Sequence, residues 1–110
     1  MVNKVTLLGN VGHDPRTSNN TKDNNLVCSF TLATTERYTR DGEKVENVEW
    51  HRVVSFGNLA KLVSNNVRKG KQVYVEGKIH TRSYIDEHNQ EVRVTEIVAS
   101  DIKLCGKKES

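Results

Sequence analysis

The sequence predicts one all-β domain, an OB-type architecture of five strands in a partly open barrel with one short α-helix between strands 3 and 4. Three observations support this prediction. Short runs of alternating apolar and polar residues are separated by polar turns, which is typical of sandwiches and barrels. Only one segment spaces its apolar residues three and four positions apart, as a helix does. The chain of 110 residues is also the right length for one domain with one core.

The first predicted strand, residues 3–12, contains Gly9 and Gly12, and glycine inside a strand often marks a bulge or a tight barrel bend. Asp14-Pro15 ends this strand, because proline cannot continue the hydrogen-bonded ladder. Residues 16–25 are rich in Asn, Thr and Ser. We therefore interpret that segment as a surface loop.

The second predicted strand, residues 26–37, alternates between an apolar and a hydroxyl-bearing face. Its apolar face carries Cys28, Phe30 and Leu32. Asp41-Gly42 supplies a turn, because this glycine accepts a positive φ. We expect a hairpin to the third strand, residues 46–56.

The predicted helix has four apolar residues at helical spacing, which are Leu59, Leu62, Val63 and Val67. We expect Asn58 to cap its start and Gly70 to end it. The helix should therefore be short, about nine to eleven residues.

The fourth predicted strand alternates cleanly, with Val73, Val75, Gly77 and Ile79 on its buried face. Residues 86–90 form the tip of a second hairpin, and residues 91–104 are the fifth strand. Three strands, a helix and a hairpin follow the order of the OB-fold, which commonly binds oligonucleotides. We place this domain at residues 1–105, and residues 106–110 are a C-terminal stub that begins a linker or a truncated tail.

Composition narrows the classes of partner. The 17 Lys and Arg against 14 Asp and Glu give a net charge of +3, which permits a polyanionic partner without requiring one. Apolar runs fall far short of the ~20 residues of a membrane span, and the first residues lack the apolar core of a signal peptide. The sequence thus predicts a soluble protein that is not exported and has no membrane partner.

Cysteine and histidine spacing predicts neither a metal site nor a cofactor. Cys28 and Cys105 lie far apart and share no CxxC spacing, so we expect two ordinary thiols in a reducing compartment. The histidines are scattered and match no ligand motif; they are His13, His51, His80 and His88.

The third strand carries the first candidate binding surface. Its period of two places Trp50, Arg52, Val54 and Phe56 on one face. If exposed, these rings would stack on bases and the guanidinium would contact phosphates. Alternatively, Trp50 and Phe56 are core residues and Arg52 reaches the rim. The strand by itself leaves both interpretations open.

A second candidate is the basic segment of residues 68–82, where five basic residues against one acidic residue give a local charge of +4. Such density suits phosphate binding, although a charged run is often only a solvated face. Tyr84 follows the segment and favours nucleic-acid binding, because aromatic and basic residues together suit sequence-independent binding of single strands.

Five sequence blocks, in this order, carry a specific resemblance. They are Asn3-Lys4-Val5 with Leu8-Gly9-Asn10-Val11-Gly12 and Asp14-Pro15; Leu32-Ala33-Thr34; Glu49-Trp50-His51-Arg52-Val53; Arg68-Lys69-Gly70; and Val73-Tyr74-Val75-Glu76-Gly77-Lys78. Together they resemble the bacterial and mitochondrial single-stranded DNA-binding proteins. The similarity covers residues 3–104, nearly the whole chain.

The resemblance implies a non-catalytic protein of the bacterial cytoplasm and nucleoid that coats and protects unpaired DNA in replication, recombination and repair. It also implies a homotetramer. The implied stacking residues are Tyr38, Trp50, Phe56 and Tyr84, and the implied DNA-backbone contacts are Lys4, Arg52, Arg68, Lys69 and Arg82. His51 and Tyr74 are implied near subunit interfaces, although His51 also fits a satisfied strand histidine.

The sequence departs from the family pattern at three residues and at its C-terminal end. Tyr38 and Tyr84 stand where the best-known enterobacterial members have tryptophan, and His80 stands where they have arginine. Family members usually continue into an acidic tail that recruits replication and repair proteins, whereas this sequence ends at Ser110. We expect weaker DNA contacts at Tyr38, Tyr84 and His80, and protein partners only if a native acidic tail exists.

Three alternatives remain. An enzyme would need a catalytic motif that the sequence does not show, and a turnover assay would reveal it. A dimeric OB-fold adaptor of the primosomal type would differ in molar mass, and the joint presence of Trp50, Phe56 and Tyr84 favours DNA coating over it. RNA-binding cold-shock domains are shorter and carry aromatic-rich RNP motifs that are not found here.

Overall fold

The computed structural model describes residues 1–20 and 25–105, so the predicted stub and part of the predicted 16–25 loop lie outside the described residues. The elements in chain order are β1 (Val5–Val11), β2 (Arg16–Asn20), β3 (Asn25–Arg40), β4 (Glu43–Phe56), α1 (Gly57–Asn66), β5 (Gln72–Ile85) and β6 (Glu91–Leu104). In this part of the chain, no helix is long and apolar enough to cross a membrane.

The strands form one sheet in the order β1-β5-β6-β4-β3-β2, and an additional β1–β3 pairing closes it into a barrel. The closed ring consists of β1, β5, β6, β4 and β3, and β2 lies beyond it. All pairings are antiparallel except β4 with β6, which is parallel. The predicted barrel of five strands, with a helix between its third and fourth strands, is confirmed.

The interpretation of residues 16–25 as a loop is wrong for its first half. Arg16–Asn20 forms strand β2, which pairs with β3 in the register Arg16↔Ser29 and Thr17↔Cys28. Polar composition indicated a loop, but an edge strand has one exposed side and accepts polar residues readily. Tertiary pairing with β3 therefore overrides the local composition.

The β3–β4 hairpin is longer than predicted, because pairing continues to Arg40↔Glu43. The expected turn is confirmed: Asp41 has φ +52° and Gly42 has φ +81°. Two positive φ values in a two-residue turn match the type I′ geometry, whose twist agrees with that of the strands. The hairpin therefore extends well past the barrel wall.

The helix differs from its prediction at both ends. It begins at Gly57 rather than at an Asn58 cap: Phe56 is the extended residue before it, with no side-chain capping bond. Gly57 has φ +61°, which lets the chain turn directly from β4 into the helix. The helix ends at Asn66, four residues before Gly70, whose N–H instead donates to the carbonyl of Val11 (2.8 Å).

The core fills the barrel with aliphatic side chains and one aromatic ring. The predicted face of Cys28, Phe30 and Leu32 is fully buried, and Ala60 and Val63 of α1 pack against the same cluster. Ile79 was predicted to be buried and is 50% exposed. It lies two residues past Gly77, the last buried position of β5, where the strand leaves the barrel wall.

Closure of the barrel requires a very close approach between β1 and β3. A Cβ atom on Gly9 would overlap the carbonyl oxygen of Ala33. Gly9 is buried, and the register places the neighbouring Asn10 opposite Ala33. The expectation that glycine in the first strand marks a tight barrel position is confirmed at Gly9.

Candidate nucleic-acid interface

A groove crosses the outer face of the sheet from β2 to β5. Its lining residues are Ser18, Val27, Ser29, Arg52, Val54, Phe56, Lys78, His80, Arg82, Glu96 and Val98. Strand pairing explains why these side chains meet: Val54 lies opposite both Ser29 and Val98, and Lys78 lies opposite Val98. Directly paired residues share a face of a sheet. The groove therefore has an apolar floor and basic residues along its β5 side.

Strand β4 exposes its two aromatic rings beside this groove. Trp50 is 62% exposed and Phe56 is 50% exposed, whereas Val54 between them is buried. The alternate residues Val53 and Ser55 point into the core. The alternative in which Trp50 and Phe56 are core residues is therefore wrong, and the rings are available to a ligand.

The indole ring of Trp50 lies across Gly12. A Cβ atom on Gly12 would overlap Cζ3 of Trp50 and would come within 2.7 Å of the hydroxyl oxygen of Thr31. The N–H of Gly12 donates to the carbonyl of Thr31 (2.9 Å), which fixes this strand end. Sequence reasoning assigned Gly12 only to a bend, because no sequence pattern shows which ring a missing Cβ accommodates.

Two arginines of the groove share one buried carboxylate. Nε of Arg52 lies 3.2 Å from Oε2 of Glu96, and Nε of Arg82 lies 3.2 Å from Oε1. The side chain of Glu96 is 8% exposed, whereas those of Arg52 and Arg82 are 50% and 43% exposed. Sequence reasoning missed Glu96, because it is separated from both arginines along the chain and belongs to no motif.

The outer half of β5 continues the groove face. Lys78, His80, Arg82 and Tyr84 alternate onto it, and His80 lies directly opposite Glu96. The Cζ atom of Arg82 lies 5.9 Å from the centre of the Tyr84 ring, within cation–π range. Tyr84 is 47% exposed, so part of its ring is accessible to solvent.

Tyr38 is separated from these rings. It pairs with Val45, five residues along β3 from Ala33, which pairs with Trp50. Strand alternation therefore places Tyr38 on the face of the hairpin opposite Trp50. Its side chain is 43% exposed.

Two of the predicted backbone contacts, Arg68 and Lys69, lie in the exposed segment after α1 and do not line the groove. Nη1 of Arg68 donates to the carbonyls of Ser64 (2.9 Å) and Val67 (2.7 Å), which closes the helix end. The backbone N–H of Lys69 donates to Oδ1 of Asp14 (2.8 Å).

Lys4 and Tyr74 meet at the carboxylate of Glu76. Nζ of Lys4 lies 2.7 Å from Oε1, and the Tyr74 hydroxyl donates to Oε2 (3.4 Å). The hydrogen bond and charge of Glu76 raise the pKa of Lys4, and those of Lys4 lower the pKa of Glu76. Lys4 is thus a paired cation on the barrel wall, outside the groove that Arg52 and Arg82 line.

His51 lies on the face of β4 opposite Trp50 and is half-buried. Its Nε2 atom is hydrogen-bonded to the hydroxyl of Thr34 across the hairpin (2.8 Å). Among residues 1–20 and 25–105, no group of three or more His, Cys, Asp or Glu residues is placed to hold a metal ion. Cys28 is buried and Cys105 is half-buried, and both are free thiols.

Comparisons with known proteins show what the whole chain is similar to. A family model described as "Single-strand binding protein family" matches residues 2–105. The chain is 41% identical to "Single-stranded DNA-binding protein 1" of Chlorobaculum tepidum over 111 aligned positions, which cover 99% of this chain and 68% of that protein. A solved structure titled "Plasmodium falciparum SSB complex with ssDNA" superposes with a TM-score of 0.87 at 33% identity, covering 96% of this chain and 97% of the other.

The contact between Gly12 and Trp50 makes a specific prediction. Replacing Gly12 with alanine should displace the indole, because the added methyl group occupies the position of Cζ3. We expect a shift of the tryptophan emission maximum and weaker binding of oligo(dT), both measured by fluorescence. Gly42→Ala is the control: its Cβ meets nothing within 4 Å, although its positive φ is strained. Equal changes of tryptophan emission in the two variants would contradict the contact between the Trp50 ring and Gly12.

Proposed function

The chain belongs to the single-strand binding protein family, and on this premise we propose that it coats unpaired DNA along the groove between β2 and β5. It binds single-stranded DNA, protects it during replication, recombination and repair, and catalyses no reaction. The observation that carries the proposal is the exposure of Trp50 and Phe56 on both sides of Arg52 on one strand face. Aromatic rings left in solvent beside cationic groups suit a ligand with both bases and phosphates.

The groove suits binding that is independent of sequence. Every base has a π face that stacks on Trp50, Phe56 or Tyr84, and every nucleotide has a phosphate for Arg52 or Arg82. The valines of the floor present no polar group that would distinguish one base from another. We therefore attribute the affinity for single-stranded DNA to base stacking and to charge.

The remaining predicted contacts require a longer DNA path. Tyr38 lies on the other face of the hairpin, and Lys4, Arg68 and Lys69 lie outside the groove. A strand that left the groove and continued over the barrel surface would reach such positions. We therefore propose that DNA wraps around a homotetramer, and the participation of these residues goes together with that longer path.

Assembly as a homotetramer is proposed through the surfaces that contain His51 and Tyr74. Both side chains are half-buried in the single chain and lie away from the rings of Trp50 and Phe56. The rival adaptor function predicts a dimer, so the molar mass in solution separates the two. We propose action on DNA in the bacterial cytoplasm, with replication and repair proteins as partners only where an acidic tail is present.

Trp50 is the only tryptophan, so its fluorescence reports one position. Adding oligo(dT) should quench its emission as a base stacks on the ring. Trp50→Ala should weaken binding about 5-fold to 150-fold without unfolding the domain, from the usual contribution of one stacked base. Tyr84→Ala should weaken binding less, and Tyr84→Trp should tighten it modestly.

Ile85→Ala is the matched control, because Ile85 is 62% exposed and lies on the face of β5 opposite Tyr84. It should bind oligo(dT) with nearly unchanged affinity. Constant Trp50 emission throughout a titration that reaches saturation by another signal would show that this strand face does not bind DNA.

Binding should depend on salt and prefer single strands. Each phosphate neutralised should contribute about −0.7 to the slope of log K against log salt concentration for single strands. The slope is measured with oligo(dT) of several lengths at a series of salt concentrations, and a duplex of equal length is the comparison. A flat salt response, or tighter binding of duplex, would contradict the proposed mode.

His51→Lys should shift the tetramer toward smaller species, because it places an unpaired charge on a surface that assembly buries. Sedimentation at micromolar concentration measures the change. His88→Lys is the control, since His88 lies exposed in the turn between β5 and β6. An unchanged mass for His51→Lys would remove this histidine from the interface.

A further inference from the structure

We infer that Glu96 is a positioning residue for DNA binding, whose carboxylate holds Arg52 and Arg82 by their Nε atoms and so presents both guanidinium groups to the groove. This inference rests on the proposed DNA-binding groove. It concerns an acidic residue in a site that otherwise attracts an anion.

The burial of the three side chains shows which one holds the others. Glu96 is 8% exposed and lies on β6, between the strands that carry the two arginines. Arg52 and Arg82 are about half exposed and extend from the neighbouring strands. A buried carboxylate is stable only when its oxygens are paired, and here each oxygen has one arginine. The carboxylate is therefore fixed by the barrel, and it fixes the arginines.

The geometry leaves part of each guanidinium group for a ligand. Within the described residues, the hydrogen bonds found for Arg52 and Arg82 both use Nε. The Nη atoms at the end of each group remain as donors, and two such donors fit a phosphate side by side. Glu96 thus orients both arginines without using the ends that would contact DNA.

Glu96 also joins two proposed stacking elements. Arg52 lies on β4 two residues from Trp50, and Arg82 lies over the ring of Tyr84 on β5. Without the carboxylate, two like charges would face each other across the groove and separate. Side chains that are already ordered before binding lose less conformational entropy when the complex forms. The arrangement therefore favours binding even though Glu96 repels phosphate.

The opposite role for Glu96 makes different predictions. A carboxylate that merely competed with phosphate for the arginines would weaken binding, and its removal would tighten it. Each newly recruited phosphate would then make the salt slope steeper by about 0.7. A positioning residue instead lowers affinity when removed and leaves the slope unchanged, because the same phosphates are contacted.

The test compares Glu96→Gln with Glu91→Gln in the full chain. Glu91 is on the same strand and pairs with Arg93 (3.6 Å), but its side chain is 55% exposed. Both variants remove one negative charge from β6; Glu96→Gln removes two arginine pairings and Glu91→Gln removes one. We expect Glu96→Gln to weaken oligo(dT) binding roughly fivefold or more at every salt concentration, from the cost of ordering two arginines. Glu91→Gln should bind unchanged or slightly more tightly.

Two results would overturn the inference. One is tighter binding by Glu96→Gln with a steeper salt slope, which identifies a competitor. The other is a lower melting temperature with unchanged affinity of the folded protein, which identifies a purely structural ion pair. Glu96→Asp provides a second variant: it keeps the charge but is one methylene shorter, so a partial loss of affinity is expected even if Glu96→Gln folds poorly.

The double variant Arg52→Gln with Arg82→Gln separates this inference from the proposed groove. It should bind more weakly, and adding Glu96→Gln to it should cause no further loss, since no arginine remains to be positioned. If the double variant binds weakly but Glu96→Gln alone binds normally, the groove is correct and the role of Glu96 is wrong. If the double variant binds as well as the unmodified chain, the proposed groove itself is wrong.

Discussion

Strand β1 is the constraint on which both the barrel and the site depend. It pairs with β5 over six positions and with β3 over two, and this double pairing closes the ring. The closure is possible only because Gly9 has no Cβ where the carbonyl of Ala33 lies. Three residues later, Gly12 leaves room for the indole of Trp50. The short strand therefore closes the core, and the residue directly after it supports a proposed stacking residue.

The register of β4 decides which of its side chains face the closed core and which face the groove. Val53 and Ser55 point inward, whereas Trp50, Arg52 and Phe56 point outward. The Ser55 hydroxyl is fully buried and donates to the carbonyl of Cys28 (2.8 Å), which ties β4 to β3. A slip of one residue would move every side chain to the other face, so core and site share one register.

Sequence patterns predicted correctly those parts of the fold that depend on residues close together in the chain. Alternation identified the strands of the barrel, helical spacing identified α1, and Asp41-Gly42 identified the hairpin turn. Arg16–Asn20 was missed, because its strand character comes from pairing with β3 and not from its own composition. Glu96 was missed for a related reason: its partners Arg52 and Arg82 approach it only after β4, β6 and β5 have assembled.

The distribution of basic residues also depends on the fold and not on the sequence segment alone. The basic run of residues 68–82 counts +4 along the chain, yet the fold divides it. Arg68 closes the end of α1 and Lys69 lies beside it, outside the groove, whereas Lys78 and Arg82 line the groove. Arg52 joins them from β4, and Glu96 offsets one of these three cations. The groove is therefore less basic than the sequence segment suggests. With its net charge reduced, the proposed binding depends more on the rings of Trp50, Phe56 and Tyr84, and on how well its few arginines are held.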